Sequence, residues 1–519
     1  GVELASRDGL KAEEEFIAWA STARRGGRWG VMASVEGLGA DQVAAVERVL
    51  NASDRVLILQ GDAGTGKTTC LKAVVAGIER AGGRVFGCAP SAGASDVLRK
   101  ELTADADTLQ QLLINESLQR VTRDRVLLVD EAGLISVREM RDLCRLAAAN
   151  GNRLLLVGDI KQHSSVEAGD ALRCLQSYAQ VPVLRLTEIR RQKEPAYRKA
   201  VSLLARGQAV SAFNQFARLG AVKEIHDLPE LFRAAAEDYV RTVTRGKSCL
   251  AISPVWSEVH SFTDEARRHL KAAGLLAAAE RTVATVFPLK WTREERRRVE
   301  NYQAGDVLSF HRDTDVFRKH EAVTVVRRAE ESLVVRTSTD EELPLDPRRT
   351  SGFEVGLSKA IPIAVGDRLQ VRANLKPLGL RNGDFVTVAG FSDDGSIALE
   401  DGRKVPVWFR HFSHGYATTS HAAQGKTIDH GILIMADAGI SGGNLKQAYV
   451  SNSRFREDQM IFTSDSKLAR EAMMRSGERK LAVEMAAPEE PGVDAVPARS
   501  RRVRVGPKPR VTAGISASG

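Results

Sequence analysis

Residues 56–70 read VLILQGDAGTGKTTC. VLILQ is a continuous apolar run closed by glycine, the pattern of a strand buried on both faces of a sheet. The turn after it carries Gly61, Gly66, Lys67 and Thr68 in the spacing G-x-x-x-x-G-K-T, which is the P-loop spacing. LKAVVAGIERAGG follows, with helical periodicity and a glycine stop. In such a turn, successive backbone N–H groups point inward at a phosphate chain, and the helix N-terminus behind them adds positive potential. Gly61, Asp62, Ala63, Gly64, Thr65 and Gly66, with Lys67, Thr68 and Thr69 of the first helical turn, are therefore the expected nucleotide cradle. Gly66 allows close backbone approach, Lys67 reaches the β- and γ-phosphates, and Thr68 offers a hydroxyl to Mg²⁺.

Working outward, three more Val/Leu-rich runs end in polar or turn residues: RVFGCAP (84–90), VLLVDEA (126–132) and LLLVGD (154–159). Runs of this kind separated by helix-like stretches predict a parallel α/β sheet, whose ligands bind at the carboxyl ends of the strands. Asp130 and Glu131 fall at one such end. Asp130 suits Mg²⁺, through water, and Glu131 suits orienting and deprotonating an attacking water. Adjacent acids favour hydrolysis over phosphoryl transfer, because a phosphotransferase must keep water from acting as acceptor. In Gly158-Asp159-Ile160-Lys161-Gln162, the amide of Gln162 is placed to sense a γ-phosphate.

A chain of 519 residues exceeds one core, so several domains are expected, and 43% apolar residues can fill them. The net charge of +9 makes nucleic acid the first candidate partner. Five scattered cysteines without a C-x-x-C pair indicate neither a zinc site nor a disulfide frame, which fits a reducing bacterial cytoplasm. No apolar run reaches membrane-spanning length. The N-terminus lacks both a secretory core and Met, so a fragment of a longer polypeptide is expected. VLSFH, AVTVVRRA, SLVVRTS, DRLQVRA, DFVTVAGF and SIALEDG predict a β-rich insertion of one or two small barrels. From Ala486 onward the chain is rich in Pro, Gly, Ala and Arg, and a disordered basic tail is expected.

LGADQVAAV, GDAGTGKTT, APSAGAS, DTLQQLL, VDEAG, GDIKQ, LTEIRRQ, ISPVWSEVH, GYATTSHAAQGKT and YVSNSRFR, in this order, resemble superfamily 1 helicases of the RecD-like 5′-to-3′ branch. The segment TVFPLKWTREERRRVENYQAGDVLSFHR narrows the resemblance to the helicase region of conjugative (MobF-type) relaxases. It implies an α/β fold of two RecA-like P-loop NTPase lobes with an inserted β-rich, SH3-like subdomain. The expected division is a helical lead-in (1–34), lobe one (35–200), lobe two in two parts (201–282 and 416–475), the β-rich insertion (283–415) and the tail (476–519).

Carried over by resemblance, Gln42 reads the adenine edge, and Arg191 and Arg454 are arginine fingers from opposite lobes. Arg190 and Arg456 are their neighbouring rivals. Gln424 and Gly425 face the nucleotide cleft, or form only a helix cap. Pro90, Ser91 and Thr108 in the first lobe and Thr419, Ser420 and His421 in the second are expected on the DNA backbone. Ser91 stands where Thr is more usual, Ala92-Gly93-Ala94 lacks the basic residue often found there, and Asn452 replaces an apolar residue. Phe310, Trp408 and Phe409 are base-stacking candidates, although core packing explains each of them better. His411 and His414 read as structural, so no nicking activity is expected in this chain.

The implied activity is ATP- and Mg²⁺-dependent 5′-to-3′ movement on single-stranded DNA up to a duplex junction, in conjugative plasmid processing. A relaxase domain upstream and a secretion machinery are the implied partners. The alternatives are a DNA-binding ATP switch without unwinding and a P-loop phosphotransferase.

Overall fold

The structure is a computed structural model, and it describes residues 6–22, 30–31, 34–103, 105–165, 169–289 and 291–486. The N-terminal helix α1 (Arg7–Thr22) is followed by α2 (Ala40–Asn51). Six strands then build the first sheet: β1 (Val56–Gly61), β2 (Val85–Ala89), β3 (Ala106–Thr108), β4 (Val126–Val129), β5 (Arg153–Gly158) and β6 (Val183–Leu186). Their order is β3-β2-β4-β5-β1-β6 and every pairing is parallel. The four runs visible in the sequence are the four central strands. Edge strands β3 and β6 lack a continuous apolar run and are partly exposed. Helix α3 (Lys67–Arg80) springs from Gly66, which is left-handed at φ +75° as the turn demands.

The second parallel sheet contains β7 (Val222–Glu224) and β8 (Cys249–Ser253) from the first half of the chain. It is completed only after two antiparallel sheets. The first comprises β9 (Glu280–Pro288), β10 (Asp306–Phe310), β11 (Ala322–Arg328), β12 (Leu333–Arg336), β13 (Glu342–Leu345) and β14 (Phe353–Ala364). The second comprises β15 (Arg368–Val371), β16 (Phe385–Phe391), β17 (Ile397–Leu399), β18 (Lys404–Val405) and β19 (Phe412–His414). The long β9–β14 ribbon, in register from Gly356↔Pro288 to Ala364↔Glu280, was not legible in the sequence. Its midpoint at Leu357–Ala360 is exposed, and Gly356 and Pro362 break any strand-like pattern. Each insert has its own core. Phe310 is buried in the first and Phe409 in the second, which removes both as stackers, whereas Trp408 stays 49% exposed.

Strands β20 (Ala417–Thr419), β21 (Ile428–Met435) and β22 (Phe455–Thr463) then close the second parallel sheet in the order β20-β8-β21-β22-β7.

Three boundaries move relative to the sequence reading. Helix Pro195–Ala205 crosses the expected limit at 200, and its Ala200, Val201 and Leu204 lie in the second lobe's core. Strand β9 crosses the limit at 282. Residues 476–486, expected in the tail, pack instead. Leu481 is fully buried in the first lobe's core, Val483 N–H donates to Glu13 at 2.9 Å, and Arg173 pairs with Glu484 at 2.9 Å. The apolar spacing of Leu481 and Val483 supplies the driving force that composition hid. The expected tail beyond them, 487–519, lies outside the described residues.

Candidate active site

The P-loop is held from inside and outside. Lys67 Nζ donates to the carbonyls of Gly61 (2.8 Å) and Asp62 (3.3 Å), folding back over the turn. Thr65 Oγ1 donates to Asp62 O at 2.9 Å. Gly64 is left-handed, and a Cβ there would stand 2.6 Å from Cβ of Arg191. Only glycine permits that approach, which lets Gly64 O accept from the N–H groups of Arg190 (2.8 Å) and Arg191 (3.1 Å). Thr68 is half-buried and Thr69 exposed at the head of α3.

Gln42 is buried beside this turn, but its amide is already engaged. Nε2 donates to the carbonyls of Thr65 and Gly66, both at 3.1 Å, and Oε1 accepts from Gly39 N–H at 3.0 Å. Gln42 thus braces the P-loop here, and contact with an adenine requires it to exchange these bonds.

At the end of β4, burial, with the Glu131 carboxylate beside it, pushes Asp130 up to about 6. Asp130 Oδ1 accepts the Glu131 N–H at 2.9 Å. Glu131 is left-handed at φ 53°, a costly conformation for a non-glycine residue and one that concentrates at functional sites. Its Oε2 accepts from Gln424 Nε2 of the second lobe at 3.1 Å. The Gln424 Oε1 is buried without a hydrogen-bond partner. Gln424 also closes the short helix Ser420–Ala423, the cap that the sequence offered as the alternative. Gly425 is left-handed, and a Cβ on it would come within 3.8 Å of Glu131 Oε1.

After β5, Asp159 accepts from Gln162 Nε2 at 3.0 Å and from Lys161 N at 3.1 Å. Lys161 reaches across to Asp62, whose carboxyl is raised by burial and by the nearby Asp159. Gln162 Oε1 accepts from Arg454 Nη2 at 3.3 Å. Arg454 is buried, and burial lowers its pKa. Arg191 Nη1 donates to Ser453 O at 2.7 Å, and burial, with Arg454 beside it, brings Arg191 down to about 9. Glu131 acts on both guanidiniums in the opposite sense, favouring their charged forms. The rivals point elsewhere. Arg190 is spent on Asp41 at 2.8 Å and on the Thr65 carbonyl at 3.0 Å. Arg456 pairs with Asp429 at 3.0 Å and is half-exposed.

The expected DNA contacts divide. Ser91 and Thr108 both act as helix N-caps, accepting from Ala94 and Gln111 N–H, each at 3.2 Å. Their hydroxyl protons stay available at helix N-termini at the carboxyl ends of β2 and β3, beside the half-buried Pro90. Thr419 is half-buried and His421 exposed. Ser420 differs from the expectation: it is buried, with its Oγ 3.0 Å from His163 Nε2 of the first lobe. His163 also stacks on His421, ring centroids 3.6 Å apart, and burial with that neighbour drives its pKa to about 2. Ser420 therefore seals the lobe interface. Asn452 is buried, donating to Ala448 O at 2.7 Å and accepting from Gln459, which satisfies the polar group in an otherwise apolar position.

Two contributors were not among the expected site residues. His163 follows the GDIKQ stretch as an ordinary loop residue. Tyr449 opens the YVSNSRFR stretch without a role assigned to it, and its hydroxyl crosses the cleft to Ala63 and Asp159.

Residues 37–227 match the AAA domain family. The conjugal transfer protein TraA of Agrobacterium fabrum (strain C58) is 27% identical over 430 residues, covering 82% of this chain and 32% of TraA. The multifunctional conjugation protein TraI of Escherichia coli (strain K12) is 24% identical over 494 residues, covering 83% of this chain and 28% of TraI. The ATP-dependent RecD2 DNA helicase of Deinococcus radiodurans is 34% identical over 178 residues, covering 33% of this chain and 24% of that helicase. The chain thus spans about a third or less of the length of these relatives. Fold and site together define a P-loop NTPase of two RecA-like lobes with β-rich inserts. Within that class the chain resembles superfamily 1 RecD-like helicases, and most of all the helicase region of conjugative relaxases.

Proposed function

We propose that this chain is an ATP-driven DNA helicase that moves 5′ to 3′ on single-stranded DNA during conjugative plasmid processing. The observation that carries the reading is the cleft. Glu131, Gln162 and Arg191 of one lobe are in direct contact with Gln424, Arg454 and Ser453 of the other. ATP would sit between the lobes, so hydrolysis changes what holds them together. Lys67 releases its two carbonyls to take the outer phosphates. Glu131 orients the attacking water and draws its proton. Arg191 and Arg454 stabilise the charge developing on the γ-phosphate. Gln42 exchanges its P-loop bonds for the adenine edge.

The residues present fit Mg²⁺. Thr68 and Asp130 offer the hard oxygen donors it prefers, and a cation relieves the repulsion between Asp130 and Glu131.

Pro90, Ser91, Thr108, Thr419 and His421 are the proposed backbone contacts, and the β-rich inserts, with exposed Trp408, the element that meets the duplex junction. The names of TraA and TraI support conjugation as the setting. An upstream relaxase domain, a secretion machinery and a bacterial cytoplasmic location complete the proposal. No described helix is long and apolar enough to cross a membrane.

ATP hydrolysis measured with and without single-stranded DNA, alongside strand displacement, tests the reading. DNA-stimulated hydrolysis with displacement supports it. Stimulation without displacement leaves the DNA-binding switch, and hydrolysis indifferent to DNA removes the helicase altogether.

A further inference from the structure

Tyr449 lies on helix Leu445–Ser451 of the second lobe, five residues before Arg454. It is 1% exposed. Its hydroxyl accepts the backbone N–H of Ala63 in the P-loop at 2.6 Å and donates to Asp159 Oδ2 at 3.0 Å. A phenol has one proton to give. Because Ala63 N–H is the donor in the first bond, that proton must point at Asp159, so the orientation of the group is fixed. The methyl of Ala63 is packed in the second lobe's core cluster, although its backbone belongs to the first lobe's phosphate loop. Asp159 in turn holds Gln162, and Gln162 holds Arg454. Tyr449 and Arg454, on one short segment of the second lobe, therefore grip the phosphate loop and its γ-phosphate sensor at two separate points.

We infer that Tyr449 is a positioning residue that reports the state of the P-loop to the second lobe; this rests on the motor reading above. The Ala63 N–H belongs to the loop whose amides face the phosphate chain. A phosphate oxygen is a charged acceptor and outcompetes a neutral phenol for such a donor. Nucleotide entry therefore loosens the Tyr449–Ala63 bond, and phosphate departure restores it. The hydroxyl converts occupancy of the loop into a push on the helix Leu445–Ser451, three residues ahead of Arg454, without touching the reacting atoms.

The test is Tyr449→Phe in the full 519-residue chain. Strand displacement, DNA-stimulated ATP hydrolysis, KM for ATP and thermal midpoint are measured together. The expected result is a fall of about tenfold in duplex unwound per ATP hydrolysed, the size of one buried hydrogen bond, with KM for ATP lowered because the Ala63 N–H no longer has the phenol as a competing acceptor. A merely structural tyrosine would lower the midpoint and leave the ratio alone, and that outcome overturns the inference. Should the phenylalanine variant fail to fold, Tyr449→3,5-difluorotyrosine keeps the shape while weakening the hydroxyl as an acceptor. A lowered ratio there supports the inference and an unchanged one overturns it. Wild-type chain that shows no DNA-stimulated hydrolysis would sink the motor reading instead, so the two failures are distinguishable.

Discussion

The two parallel sheets are built alike and used at opposite ends. In the first lobe most candidate site residues leave the carboxyl end of a strand: the P-loop after β1, Ser91 after β2, Asp130 and Glu131 after β4, Asp159 and Gln162 after β5, with Gln42 on α2 the exception. In the second lobe the residues that meet them stand before their strands, Gln424 and Gly425 ahead of β21 and Arg454 immediately ahead of β22. The cleft is thus the carboxyl edge of one sheet set against the amino edge of the other. Thr419, at the carboxyl end of β20, and Gln424 are joined by one short helix, so the proposed DNA and nucleotide contacts of the second lobe share one segment. In the proposed motor, the first lobe holds the attacking water and the second answers to the phosphate.

This contrast can be broken experimentally. Glu131→Gln strikes the chemistry alone and is expected to lower hydrolysis by about 10²–10⁴-fold while ATP and DNA binding persist in filter or anisotropy assays. Near-normal turnover would remove Glu131 from its role. Arg454→Ala strikes the response. Loss of a transition-state arginine predicts roughly a 10³-fold fall in hydrolysis, with ADP affinity little changed. A change confined to KM would mean that Arg454 only binds.

Leu481→Ala tests whether the returning segment belongs to the first lobe. Its buried side chain predicts a loss of about 2–5 kcal/mol in chemical denaturation, and no loss would show the segment to be dispensable.

Asp130→Asn separates stability from activity. The folded pKa of Asp130 is raised from 3.8 to about 6, so the native state holds this proton more tightly than the unfolded chain. Stability from this group is therefore present below its ordinary pKa and is lost as pH rises towards 6. Without nucleotide or Mg²⁺, the asparagine variant is expected to melt higher than wild type at pH 7, with the difference shrinking near pH 4, while hydrolysis falls. Arg456→Ala, removing an exposed pair with Asp429, is expected to change stability by less than about 1 kcal/mol and hydrolysis hardly at all. A large effect there would reopen the choice between Arg454 and Arg456.

Legibility followed burial. The central strands of the first sheet are buried on both faces and show as unbroken apolar runs, whereas β3 and β6 are short, half-exposed edges with no period to detect. The P-loop and Asp130-Glu131 were legible because their chemistry fixes residue type and spacing together. Residue type alone did not separate Arg191 from Arg190 or Arg454 from Arg456: the resemblance made that choice, and in the structure Arg190 is engaged with Asp41 and Arg456 with Asp429. Ser420 was misplaced because a small hydroxyl suits a phosphate and a buried histidine equally well. Tyr449 opens the quoted YVSNSRFR stretch, but residue type alone gave its hydroxyl no role, since a tyrosine at helical spacing is ordinarily core.

Helix α1 packs against the helix Ala482–Ala486, and both rest on the first lobe. The described chain accordingly leaves that lobe near residue 195, runs through everything else, and returns to close a ring. Dyes attached at Arg7 and Ala486 would hold a constant distance through every cycle, while a pair straddling Gln162 and Arg454 would flicker with each turnover. The same molecule thus offers its own stationary reference for single-molecule recording, and force applied between those two closed ends would load the first lobe and leave the moving one slack.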